Sequence, residues 1–109
     1  MIYLLTFIWA GLIFAGSSIP GSDLPGAPGI LNFVAHYFEY VVLGMLLVRS
    51  AISLKLKVIS FASALKITLI LGFLFALSDE LHQIFVPGRS FDSMDLLIDG
   101  VGLLTGIFV

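Results

Sequence analysis

The stretch Ile67-Thr68-Leu69-Ile70-Leu71-Gly72-Phe73-Leu74-Phe75-Ala76-Leu77-Ser78-Asp79-Glu80-Leu81-His82-Gln83-Ile84-Phe85-Val86-Pro87-Gly88-Arg89-Ser90 starts as hydrocarbon and ends in ions. It lies in an apolar segment running from about residue 58 to 86, long enough for a bilayer, which needs about 20 mostly apolar residues. Pro87-Gly88 is a breaker pair that ends a helix. Asp79, Glu80 and His82 then fall inside a membrane-spanning helix. Ionisable groups there cost a few kcal/mol each against lipid, so they face a protein interior.

Composition supports the same class. Of 109 residues 60% are hydrophobic and 11% charged, with a mean hydropathy of +1.17. A water-soluble domain this small leaves too much surface exposed to hide so much apolar area. A single polytopic membrane domain over residues 1–109 is the natural reading. The net charge of −2, without a basic run, excludes nucleic-acid binding. With no cysteine, there is no disulfide, thiolate nucleophile or thiolate metal site.

Working outward, the sequence predicts an all-α bundle of four transmembrane helices at about 2–19, 30–52, 58–86 and 91–109. Ala15-Gly16-Ser17 resembles a signal-peptide cleavage region, but no Lys or Arg precedes the apolar stretch, so the segment reads as a retained span. The connection at 20–29 holds three prolines and three glycines after Ile19 and reads as a loop. Arg49, Lys55, Lys57 and Lys66 flank the connection between spans two and three, which the positive-inside rule places in the cytoplasm. Lys66 snorkels back toward it. Both termini are then inside, and the chain is a multi-pass protein of the plasma or inner membrane.

The acids and histidines sort to the opposite end. At 1.5 Å of rise per residue, His36 and Glu39 lie roughly 9 and 13 Å inside the outer end of span two. Asp79, Glu80 and Asp99 lie roughly 9–11 Å inside the outer ends of their own helices. His36, Glu39 and Tyr40 share one helical face, as do Asp79, His82 and Gln83, and Asp92, Asp95 and Asp99 follow at i, i+3, i+7. Asp92 sits at the start of its helix, where the dipole favours a carboxylate. The three stripes should meet in a pocket toward the outer leaflet. Arg89 is the cation nearby, with a guanidinium fork suited to two carboxylates or a phosphate.

The run from Ser78-Asp79-Glu80 through Gln83 and Pro87-Gly88-Arg89-Ser90 to Asp92, Asp95, Gly102 and Gly106 resembles the signature of the VanZ-like membrane proteins. His36-Tyr37-Phe38-Glu39-Tyr40 with Leu43-Gly44 resembles that family's earlier motif. The resemblance covers about residues 32–106 and departs at Asp99, where many members should carry Asn. It implies a cell-envelope role associated with teicoplanin (glycopeptide) resistance, without specifying a reaction.

Three mechanisms fit these residues. In a membrane enzyme, Glu80 or Asp79 is a general base, His36 and His82 shuttle protons or bind metal, and Arg89 orients an anionic head group. A non-catalytic protein would instead bind a lipid-linked or glycopeptide-related ligand, with Glu39, Tyr40, Gln83, Arg89, Asp92, Asp95 and Asp99 lining the site. A proton-coupled transporter would need four short spans to oligomerise. A divalent metal is one way to satisfy the acids, with His36, Glu39, Asp79 and His82 as ligands. The bland alternative is polar glue between helices. Gly102 with Gly106, and Gly11 with Ala15, read as small-residue pairs that let helices approach.

Overall fold

The computed structural model describes residues 1–19, 30–53 and 60–109, and among them the fold is all helical, with no strand. The helices are α1 (Ile2–Ser17), α2 (Ile30–Ile52), α3 (Phe61–Gln83) and α4 (Ser93–Phe108). The proline-rich loop expected at 20–29 lies outside the described residues, as do Lys55 and Lys57.

Local chemistry trims the expected spans. Ser60 is extended (φ −66°, ψ 155°) and its hydroxyl accepts the Ser63 N–H, so α3 begins at Phe61 rather than at 58. At the other end, α3 stops at Gln83 rather than Val86. There the Ile84, Phe85 and Val86 N–H groups bond the carbonyls three residues back, at 3.3, 3.0 and 3.1 Å. Such i→i−3 bonds tighten the chain into 3₁₀ geometry. Gly88 then turns at φ 74°, a left-handed conformation that glycine adopts without a Cβ penalty. Asp92 caps α4 with its carboxylate accepting the Met94 N–H at 2.9 Å, which sets the start at Ser93 rather than 91.

Side-chain contacts fix the topology. Asn32 and His36 meet Asp95 and Asp99, so α2 and α4 run parallel. Ser17 and Ser18 meet Asp79 and His82, so α1 and α3 are parallel as well. Thr6 meets Ser50 at 2.9 Å, which sets α1 antiparallel to α2. The bundle is up-down-up-down, and all its described acids and both histidines gather at one end. Arg49 and Lys66 occupy the other, where the Phe61 and Phe108 rings lie 6.0 Å apart.

The α2–α4 pair has the most extensive packing. A Cβ on Gly44 would lie 2.5 Å from the Leu103 carbonyl, and one on Gly102 would lie 2.7 Å from the Tyr37 carbonyl. A Cβ on Gly106 would run into the Val41 carbonyl. The Gly102–Gly106 pair thus does what its spacing predicts. Gly11 and Ala15 do not, because both face outward and nothing among the described residues lies within 4 Å of a Cβ at Gly11. Leu103 joins Ile13, Tyr40, Leu43 and Ala76 in the central core, while Val48, Ala51, Ala64 and Ile107 pack nearer the basic end.

The exterior is apolar and much of the interior polar. Phe7, Ile70 and Leu97 are 77%, 59% and 61% exposed, whereas Asp79, Glu80 and Asp99 are 0% exposed. Such an arrangement suits helices solvated by hydrocarbon, where charged groups turn inward. α2 and α3 are long and apolar enough to cross a membrane. α1 and α4 have 16 residues each, about 24 Å at 1.5 Å per residue against a hydrocarbon core of about 30 Å.

Candidate functional site

The acidic end of the bundle contains two polar groupings, set apart by the geometry of α3. Asp79 and Glu80 are adjacent in sequence, so their side chains leave the helix about 100° apart. Asp79 turns toward α1, where Ser17 Oγ donates to its Oδ2 at 2.7 Å. His82 follows it, stacking on Phe14 with ring centroids 4.2 Å apart. Ser18 gives its one hydroxyl proton to the Phe14 carbonyl (2.9 Å), so His82 Nε2–H donates to Ser18 Oγ at 2.9 Å.

Glu80 turns the other way, into the seam between α2 and α4. His36 lies there between two carboxylates of α4. Its Nδ1–H donates to Asp99 Oδ1 at 2.9 Å, and its Nε2 faces Asp95 Oδ2 at 3.8 Å. Asn32 Nδ2 donates to Asp95 Oδ1 at 3.1 Å. The Asp92 backbone N–H donates to Glu80 Oε2 at 3.2 Å. His36, Glu80 and Asp95 each offer a ligand atom within 4.8 Å of the others', and all three are buried. Among the described residues, no Lys or Arg lies within 4.0 Å of these carboxylates.

Several buried polar atoms here have no partner among the described residues: Tyr40 Oη, Asp79 Oδ1, Glu80 Oε1, Gln83 Nε2 and Asp99 Oδ2. Buried side-chain polar atoms are mostly hydrogen-bonded, so this concentration at one end sets the acidic end apart from the rest of the bundle. Glu39 is half-buried, its carboxylate making no hydrogen bond or ion pair among the described residues, while its backbone carbonyl accepts from Trp9 Nε1 at 2.9 Å. Arg89 Nη1 donates to the Ile19 carbonyl at 3.1 Å rather than to Asp92. Asp92 remains at the rim as the α4 cap.

Of the residues singled out in the sequence, the structure thus brings His36, Glu80, Asp95 and Asp99 together, with Asp92 above them. Asp79 and His82 form a separate grouping against α1. The proposed quartet His36, Glu39, Asp79 and His82 is divided between these two sides. Asn32 was missed. Its signal was the i, i+4, i+8 series Asn32, His36, Tyr40, which extends the face already drawn through His36 and Tyr40 by one turn toward the N-terminus. In the sequence, Ser17 stands out only within the cleavage-like Ala15-Gly16-Ser17, and Ser18 carries no signal of its own.

Beside the cluster, an apolar groove of about 430 Å³ runs between α3 and α4, lined by Leu69, Ile70, Phe73, Leu74, Gly100 and Leu103. Its lining carries almost no polar atoms, so it is separate from the acids although Gly100 follows Asp99 directly.

Residues 2–109, the whole length of the described helices, match the family described as VanZ/LLP1. The chain belongs to the VanZ/LLP1 family. No curated protein and no solved structure matches it. The VanZ/LLP1 match extends beyond the signature run at 78–106 to include α1, whose Ser17 and Ser18 hold Asp79 and His82.

Proposed function

We propose that this VanZ/LLP1 protein crosses the cell membrane four times, with both termini inside, and binds a lipid-linked ligand with an anionic head group at the outer leaflet. The head group sits at the His36–Glu80–Asp95 cluster under Arg89, and the acyl chain lies in the α3–α4 groove. The observation that carries this reading is adjacency. Gly100 lines the groove while its neighbour Asp99 is bonded to His36, so the apolar slot lies within one residue of the polar cluster on α4. Ligand sites combine these two features, a mostly apolar wall with a few convergent polar groups. Resemblance to proteins of teicoplanin resistance supports an envelope ligand of this kind.

The positive-inside rule supports this topology, with Arg49 and Lys66 at one end and the acids at the other. A chain without native cysteine allows a clean test. A membrane-impermeant maleimide added to intact cells should label Ser90→Cys at once and Ser53→Cys only after permeabilisation. Labelling of Ser53→Cys in sealed cells would overturn the orientation.

The groove is tested by Gly100→Leu. Nothing lies within 4 Å of a Cβ there, so the side chain fills the slot without displacing backbone. Native mass spectrometry of protein extracted in mild detergent should show a phosphate-bearing lipid retained by wild type. Gly100→Leu should reduce that retention at least severalfold, and Arg89→Gln should weaken it too. Equal lipid retention in wild type and Gly100→Leu would refute the seat proposed for the acyl chain.

A further inference from the structure

We infer that His36, Glu80 and Asp95 form a binding site for one divalent transition-metal ion, zinc or manganese. The inference deepens the ligand-binding reading, because the carboxylates of Glu80, Asp95 and Asp99 repel an anionic head group and no Lys or Arg lies within 4.0 Å of them among the described residues. The geometry of each ligand argues for it separately.

Each of the three side chains has one polar atom engaged and another turned loose. His36 Nδ1–H is held by Asp99 Oδ1 at 2.9 Å, which leaves Nε2 to take a proton or a metal. Asp95 Oδ1 is held by Asn32 at 3.1 Å, which leaves Oδ2. Glu80 Oε2 is held by the Asp92 N–H at 3.2 Å, and its Oε1 is buried without a partner among the described residues. This is the division of labour in metal sites, where outer partners fix tautomer and orientation so that the remaining atoms converge. The carboxylate–histidine pairing of Asp99 and His36 is one form of that support.

The distance between the loose atoms points the same way. His36 Nε2 and Asp95 Oδ2 stand 3.8 Å apart. That is too long for a hydrogen bond. A proton on Nε2 would give a charged pair across this gap but no hydrogen bond, whereas an ion seated between the two atoms would bond both. An ion with bonds of roughly 2.0–2.2 Å to imidazole nitrogen and carboxylate oxygen spans such a gap. One imidazole and two carboxylates form a mixed N/O set suited to zinc or manganese rather than to calcium or magnesium, which prefer oxygen alone. Tyr40 Oη and Asp99 Oδ2, both buried and without a partner among the described residues, add further polar atoms to the surroundings.

The test uses detergent-purified full-length protein stripped with a chelator. Elemental analysis after dialysis against micromolar Zn²⁺ or Mn²⁺ should find one ion per chain, and the thermal midpoint should rise on reloading. His36→Gln and Glu80→Gln should each lose the ion and the rise. Asn32→Ala, which frees Asp95 without removing a ligand, should weaken affinity about 10–100-fold. Ser17→Ala, on the α1 side, should leave one ion bound. Wild type that takes up neither ion, or Gln variants that bind as wild type does, would overturn the inference. Metal uptake is read without lipid. Loss of lipid selectivity with metal retained would therefore refute only the lipid ligand, and lipid retention without metal would refute only the ion.

Discussion

Gly106→Ala should cost the protein at least about 1–3 kcal/mol of stability, the usual range for overpacking a close-packed core, whereas Gly11→Ala should cost nothing measurable. The new methyl at 106 meets the Val41 carbonyl and the Met45 N–H, which are parts of the α2 backbone and cannot rotate away. Relief requires α2 and α4 to separate, and that separation pulls Asp95 and Asp99 away from Asn32 and His36. The effect should therefore exceed what one methyl produces against flexible side chains, as at Gly72, where a Cβ meets only the tip of Leu103. Gly11 sits on an open face, so alanine there adds only helix propensity. Unfolding curves in mixed detergent micelles check the ranking of 106 above 72 above 11. A Gly106→Ala protein as stable as wild type would mean that the α2–α4 contact is looser than its backbone geometry indicates.

The glycine comparison also shows where sequence reading succeeds and fails for this fold. Helix number and approximate bounds were legible because apolar runs of 16 to 23 residues are separated by proline, glycine and charge. Spacing alone suggested two small-residue pairs, but could not tell the one facing a neighbour from the one facing outward. The same limit governed the site. Depth along each helix is linear in residue number, so the gathering of His36, Glu80, Asp95 and Asp99 at one level was readable in advance. Rotation about the helix axis depends on crossing geometry, which one sequence does not contain. Asp79 and Glu80 were therefore indistinguishable until Ser17 and Asp92 were seen to take one each. Asn32 escaped because an amide in an apolar run carries no charge to draw attention, although its spacing from His36 is right.

The second large effect concerns the imidazole itself. His36→Ala should destabilise metal-free protein by about 3–5 kcal/mol, the cost of removing one member of a buried ionic pair and leaving the other uncompensated. Both Asp95 and Asp99 depend on this one ring, since no Lys or Arg lies within 4.0 Å of them among the described residues. Asp99→Asn should behave differently. Its Oδ1 still accepts the His36 Nδ1–H while the charge disappears, so the hydrogen bond at 2.9 Å survives with one fewer buried anion. That change should cost under about 1 kcal/mol, within the range of a single net hydrogen bond, or even stabilise the apo protein. The double variant His36→Ala with Asp99→Asn should then lose clearly less than the sum of the single changes, because the anion stranded by alanine is already gone. Reversible unfolding of all four proteins under the same detergent conditions gives the coupling directly. Strict additivity would show that His36 and Asp99 do not share their charge, and that the cluster is held together by packing around Tyr40 and Leu103 instead.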